Sequence, residues 1–132
     1  VASVDRREAR ERALGLLYEA ALKHVDPLEV LSELVITPDP YCVELITLAS
    51  EYHEESLRRI EAAALNWPIE RIGLIDRLIM ELALAELAGS SPPPRAVVLD
   101  EAVELAKMYS TELSGGFVNG VLATLTEDSP EA

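Results

Sequence analysis

The chain has 132 residues, a formal net charge of −13, 49% hydrophobic residues and only 5% aromatic ones. That length supports one hydrophobic core and excludes two, and a core rich in Leu, Ala, Ile and Val with few alternating β-branched runs favours packed helices over strands. The lone Cys42 excludes a disulfide framework and a cysteine metal cluster, no run approaches the ~20 apolar residues of a membrane span, and the acidic balance confines any nucleic-acid contact to a local basic patch.

The first helix is expected over residues 5–24, with Asp5 in its first turn, where the helix dipole favours negative charge. Ala9, Ala13, Leu16, Leu17, Ala20 and Ala21 recur at helical spacing and form its apolar stripe. Ahead of them Arg6, Arg7, Arg10 and Arg12 fall within eight residues, and Arg6 and Arg10, one turn apart, share a side. Alone, this cluster reads as a solvated helix end, with Glu8–Arg12 as an i,i+4 pair.

Asp26-Pro27 opens a short helix with Leu28, Leu31 and Leu34 facing inward, and Thr37-Pro-Asp-Pro is a turn because its prolines bar helix continuation. A long helix is expected over 41–65, burying Leu45, Leu48, Ala49, Tyr52, Ser56, Ile60 and Ala63. Its wet face carries Glu51, Glu54, Glu55 and Glu61, whose positions mark solvation rather than a metal site. His24 and His53 read as surface or boundary histidines. Asn66-Trp67-Pro68 breaks the chain, with Trp67 expected over the end of the core.

Residues 74–88 form a helix apolar almost all round, which places it centrally in a bundle. Its charges, Asp76, Arg77, Glu81 and Glu86, must escape between neighbours or serve an interface; Arg77 and Glu81 can pair. A helix over 94–109 follows, capped by Ser90 or Ser91, with Val98, Ala102, Leu105, Ala106 and Tyr109 as its stripe. The last helix, 115–125, turns Val118, Val121, Leu122 and Leu125 to the core. Phe117 and Asn119 fall on opposite flanks and Gly120 faces away. The tail after Leu125 has no core residues and is expected to fray at 127–132.

No catalytic constellation is visible: no phosphate-binding glycine loop, no nucleophile elbow and no carboxylate partnered by histidine. The chain reads as a binding protein without enzymatic activity, cofactor or metal. The suggestive local feature is Ser114-Gly115-Gly116-Phe117. Two glycines at a helix start leave backbone N–H groups unobstructed for a phosphate, and Phe117 beside them can stack on a base; the plain alternative is a helix cap and a core phenylalanine.

The run VVLDEAVELAKMYS followed by GGFVNGVL is similar to the C-terminal signature of the NusB family of transcription antitermination factors. The family pattern is V-x-[IL]-[ND]-E-A-[VI]-E-L-A-K, a polar turn, then F-V-N-G-V-L. The stretch from Trp67 to Arg77 resembles the family's W-x-x-x-R-[IL]-x-x-[IV]-[DE]-[RK], and weaker likeness reaches the N-terminus. Departures are Glu8 within the basic run, Gly115 and Gly116 at a basic position, Leu113 for an acidic residue, Met80-Glu81 for Leu-Arg, and Ala85 for an aromatic.

The resemblance implies an all-α fold of six to seven helices in two packed three-helix groups, with helices 5–24, 26–34 and 41–65 in one and 74–88, 94–109 and 115–125 in the other. It implies a single NusB-like RNA-binding domain over 1–132, in the cytoplasm and without membrane contact. The implied partners are boxA-type single-stranded RNA of rRNA leader transcripts, the ribosomal protein NusE and the RNA polymerase antitermination complex, with a homodimer as a further option. RNA contacts are expected at Arg6, Arg7, Arg10, Arg12, Gly115, Gly116, Phe117 and Asn119, and NusE contacts at Asp76, Arg77 and Glu86. The alternative is a protein-interaction or dimerisation module in the same fold with weak or lost RNA binding, which the acidic balance and the departures favour.

Overall fold

A computed structural model describes residues 3–65 and 67–126. Among them are seven α-helices, one short 3-10 turn and no strand: α1 (Ser3–Lys23), α2 (Pro27–Ser32), α3 (Pro40–Glu51), α4 (His53–Ala63), α5 (Leu74–Leu87), α6 (Arg95–Tyr109) and α7 (Ser114–Thr126). The expected fraying at 127–132 and the expected break at Asn66 lie outside the described residues.

Helix starts follow local chemistry. The Asp26 and Asp39 carboxylates accept the Leu28 and Tyr41 amides at 2.8 Å, and each acid precedes a proline at the first helical position. Helix α6 departs from expectation. Pro94 is its cap residue, no side chain caps it, and Ser90 and Ser91 lie well upstream. Helix α1 ends with His24 at φ 57, in the left-handed region, and Val25 donates back to the Ala20 carbonyl at 3.0 Å. This is the usual helix-ending geometry, built here without glycine.

The expected 41–65 helix divides at Tyr52 (φ −98, ψ 13), although Tyr52 N–H still donates to Leu48 and Ser56 N–H to Tyr52. The division redistributes the bundle. Helix α3 packs on α1, α2 and α5, whereas α4 packs on α5 and α7. The architecture is therefore α1–α3 against α4–α7, a correction to two groups of three. In α2, Val30 is the buried residue and Leu28 is exposed.

Helix α5 is the shared wall. It contacts α1, α3, α4, α6 and α7, and residues 78–86 are all buried. Its near-continuous apolar sequence is what such a position demands. The core runs from Ala9, Leu16 and Leu17 of α1 through Leu45, Ile46, Ile79 and Leu82 to Val98, Leu105, Val118 and Leu122. Cys42 is fully buried there, and burial pushes its thiol pKa up, so it behaves as a small apolar residue. Among the described residues no helix is long and apolar enough to cross a membrane, and no group of His, Cys, Asp and Glu could hold a metal.

Candidate nucleic-acid interface

The arginine cluster of α1 divides between surface and interior. Arg10 is only 5% exposed. Its Nε lies 2.9 Å from both oxygens of Glu86, and its Nη2 lies 2.7 Å from Oε2. Glu86 is 3% exposed and also accepts the Tyr41 hydroxyl. Burial opposes the Arg10 charge, but the hydrogen bonds and charge of Glu86 outweigh it and raise the guanidinium pKa. Burial, followed by the Glu86 carboxylate, raises the Tyr41 pKa as well, which keeps it a phenol and a donor. Arg10, expected at the RNA surface, and Glu86, expected at the partner surface, are instead buried and paired with each other. Buried ions on α1 and α5 satisfy each other, because neither can reach water.

The outer arginines stand around this pair. Arg6 lies with its guanidinium carbon 4.7 Å from the centre of the Tyr41 ring. Arg7 is exposed and forks onto Glu101 of α6, with Nε to Oε1 at 3.2 Å and Nη2 to Oε2 at 2.8 Å. The hydrogen bond from Arg7 holds the Glu101 carboxyl below its ordinary value of 4.5, against the opposing pull of partial burial. Arg10 Nη1 completes the chain at 3.5 Å from Glu101. Arg12 is exposed. One open depression of the surface is bordered by Arg6 and Arg7 with Pro93, Pro94 and Val97 across from them.

The second group of candidates surrounds the α6–α7 turn. Helix α7 starts at Ser114, so Gly115 and Gly116 lie in its first turn. Gly115 is buried, and an added Cβ would lie 3.5 Å from Val103 Cγ1 and 3.6 Å from Lys107 Cγ. It therefore serves the packing of α7 on α6 and offers no open phosphate seat. Gly116 is exposed with free space around it, Asn119 is exposed, and Phe117 is half-buried at the flank.

Asp76 is half-buried and tied to the α6–α7 turn. Its carboxylate accepts the Ser110 hydroxyl at 2.6 Å and the Ser114 hydroxyl at 3.0 Å, and Ser114 Oγ also accepts the Thr111 amide at 3.2 Å. This fixes the α6–α7 turn against α5, so Asp76 has a structural task within the chain besides the partner contact expected of it. Arg77 pairs with Glu81 at 3.0 Å, and Glu81, itself buried, also meets His53 Nδ1 at 2.7 Å. Arg77, like Asp76, remains partially accessible, whereas Glu86 of the expected partner set is buried.

Three contributors were absent from the sequence reading: Tyr41, Glu101 and the pairing of Trp67 with Phe117. The rings meet edge to face at 6.4 Å and 75°. Tyr109, expected in the core stripe, is 48% exposed and donates to Glu11 at 3.3 Å. A signal for Glu101 exists in the sequence: it falls outside the α6 apolar stripe of Val98, Ala102 and Leu105. Nothing local signals Tyr41 or the aromatic pair, because both depend on which helices meet.

The sequence profile of the NusB family matches residues 7–127. The transcription antitermination protein NusB of Acidothermus cellulolyticus is 44% identical over 124 residues, covering 91% of this chain and 86% of that protein. The corresponding protein of Geobacillus kaustophilus is 38% identical over 122 residues, covering 91% and 94%. Among solved structures, T. maritima NusB superposes with a TM-score of 0.83 at 28% identity, covering 93% and 91%. A crystal structure of antitermination factors NusB and NusE in complex with dsRNA contains a chain that superposes at 0.79 with 30% identity, covering 96% of this chain and 98% of that one. An N-terminal arginine helix tied to α6 through Arg7 and Glu101, an almost fully buried central helix and a last helix with two glycines in its first turn are thus found in a sequence matched along nearly its whole length: the chain belongs to the NusB family.

Proposed function

We propose that the chain is a transcription antitermination factor, not an enzyme, that binds boxA-type single-stranded RNA of rRNA leader transcripts together with NusE and so joins the RNA polymerase antitermination complex. The observation that carries this reading is the likeness, at 30% identity over 96% of the chain, to a protein solved with NusE and dsRNA. Arg6, Arg7 and Arg12 supply the phosphate contacts, Phe117 stacks on a base, and Gly116 and Asn119 border the same end of α7. Arg77 contributes to the NusE contact. Because the chain is strongly acidic, RNA is held at these points alone, and NusE supplies further attraction. A gel shift with boxA RNA, with and without NusE, tests the reading: a shifted band that strengthens with NusE is expected, and no shift under either condition contradicts it.

A second reading follows from one observation. Glu101 and Glu86 occupy two of the four N-terminal arginines, leaving Arg6 and Arg12 of that cluster without a carboxylate partner among the described residues, on a chain of net charge −13. On that reading the chain is a protein-interaction or dimerisation module with little RNA affinity, and the same gel shift separates it from the first.

A further inference from the structure

The turn between α6 and α7 faces the segment that leads into α5 across an open cleft of about 350 Å³. Its walls are Trp67, Ile72, Leu113 and Phe117, with Arg71 and Asp76 among its polar groups. Trp67 is 52% and Leu113 83% exposed, so a large apolar surface stands open beside a guanidinium. A folded chain gains nothing within itself from such exposure.

We infer that this cleft takes one unstacked nucleobase of single-stranded RNA, one that bears an exocyclic amine, with Trp67 as its principal stacking surface. The inference rests on the RNA-binding reading above and extends it to residues outside the arginine helix. Three observations converge on a base rather than a protein side chain. The Trp67 indole is held edge to face by Phe117 at 6.4 Å, which fixes its plane and leaves aromatic surface open. Arg71 is exposed at the rim, where it can meet the phosphate belonging to the bound base. Asp76 presents a carboxylate in the wall that has accepted one hydroxyl on each oxygen. A carboxylate offers about four lone-pair sites, so it can still accept from a base edge, where the exocyclic amine of cytosine, adenine or guanine offers two hydrogens and uracil a single ring N–H. The place is also suitable. Arg7 meets α6 at Glu101 and the cleft begins at Thr111, just past the end of that helix and ten residues or roughly 15 Å farther along. One short strand of RNA can therefore lie on the arginines and drop a base into the cleft.

The chain has one tryptophan, so Trp67 emission reports on this cleft alone. The full chain is titrated with short single-stranded oligoribonucleotides while the anisotropy of end-labelled RNA is read in the same samples. Emission should quench in step with anisotropy. Trp67→Leu should weaken binding roughly five- to a hundred-fold at one fixed salt concentration, and Trp67→Phe should retain most of it. Cytosine at the responsive position should quench at lower RNA concentration than uracil. Should the leucine variant melt early, the parent's quench still decides the matter. A rise in anisotropy with unchanged emission overturns the cleft and leaves the arginine site standing. Emission that answers NusE but never RNA makes the cleft a protein contact and overturns the inference. No anisotropy rise, even with NusE, overturns this inference together with the RNA-binding reading.

Discussion

Arg10 and Glu86 are two opposite charges that the fold removes from water together. Removing one partner of a buried ion pair strands the other, at a cost of about 3–5 kcal/mol. Arg10→Ala should therefore lower stability in urea melts by that amount, whereas Arg12→Ala, at an exposed position, should change it by less than about 0.5 kcal/mol. Equal effects would mean that Arg10 is solvated like its neighbours. Glu101 provides the pH test. Its carboxyl is held below 4.5 by the Arg7 hydrogen bond, so its contribution is present above that value and is lost as pH falls through the lower, folded-state value. The stability of Glu101→Gln should fall less steeply than that of the parent between about pH 5 and 3. Parallel curves would show that the Arg7 fork does not form in solution. The arginine cluster itself was legible in the sequence. Its division was not, because helical periodicity places Arg6 and Arg10 on one side without saying that a buried acid of α5 waits there for only one of them.

At the scale of the element, α7 tests what its glycines are for. No glycine among the described residues has positive φ, so neither Gly115 nor Gly116 is needed for a left-handed turn. Gly116 has open space where a Cβ would stand, and Gly116→Ala should stabilise the fold by about 0.4–1 kcal/mol through the unfolded chain's lost freedom. If bare backbone there admits RNA, the same variant should bind RNA more weakly despite being more stable. Gain in both properties would remove Gly116 from the interface. The core faces of α5, α6 and α7 were readable from spacing, since Leu78, Leu82, Val98, Leu105, Val118 and Leu122 are all buried as expected. The division of 41–65 was not. Tyr52 carries no proline or glycine signal, and the reason for the division is tertiary: α3 serves α1 and α2 while α4 serves α7. The hydrogen bonds of Asp76 were hidden for a similar reason. Its partners Ser110 and Ser114 lie more than thirty residues away, so only the packed turn reveals them.

For the whole molecule, the proposed function asks how a chain of net charge −13 would hold a polyanion. Segregation of charge is the means the fold offers. Arg6, Arg7 and Arg12 stay at the surface of α1, Arg7 shared there with Glu101, while Arg10 is paired inside. The wide acidic surface then repels RNA everywhere else, which favours one orientation of the strand. The family signature in α6 and α7 carried this function in the sequence, whereas the count of free cations emerges only from the ion pairs. The most direct measurement is the salt dependence of RNA binding in the presence of NusE. Three phosphate contacts on single-stranded RNA predict a slope of log K against log salt of about −2, at roughly −0.7 per contact. Replacing Arg6 and Arg7 together by Ala should flatten that slope by more than about one unit, while Arg10→Ala, where it still folds, should leave it unchanged. A slope that the double replacement does not alter would contradict the account.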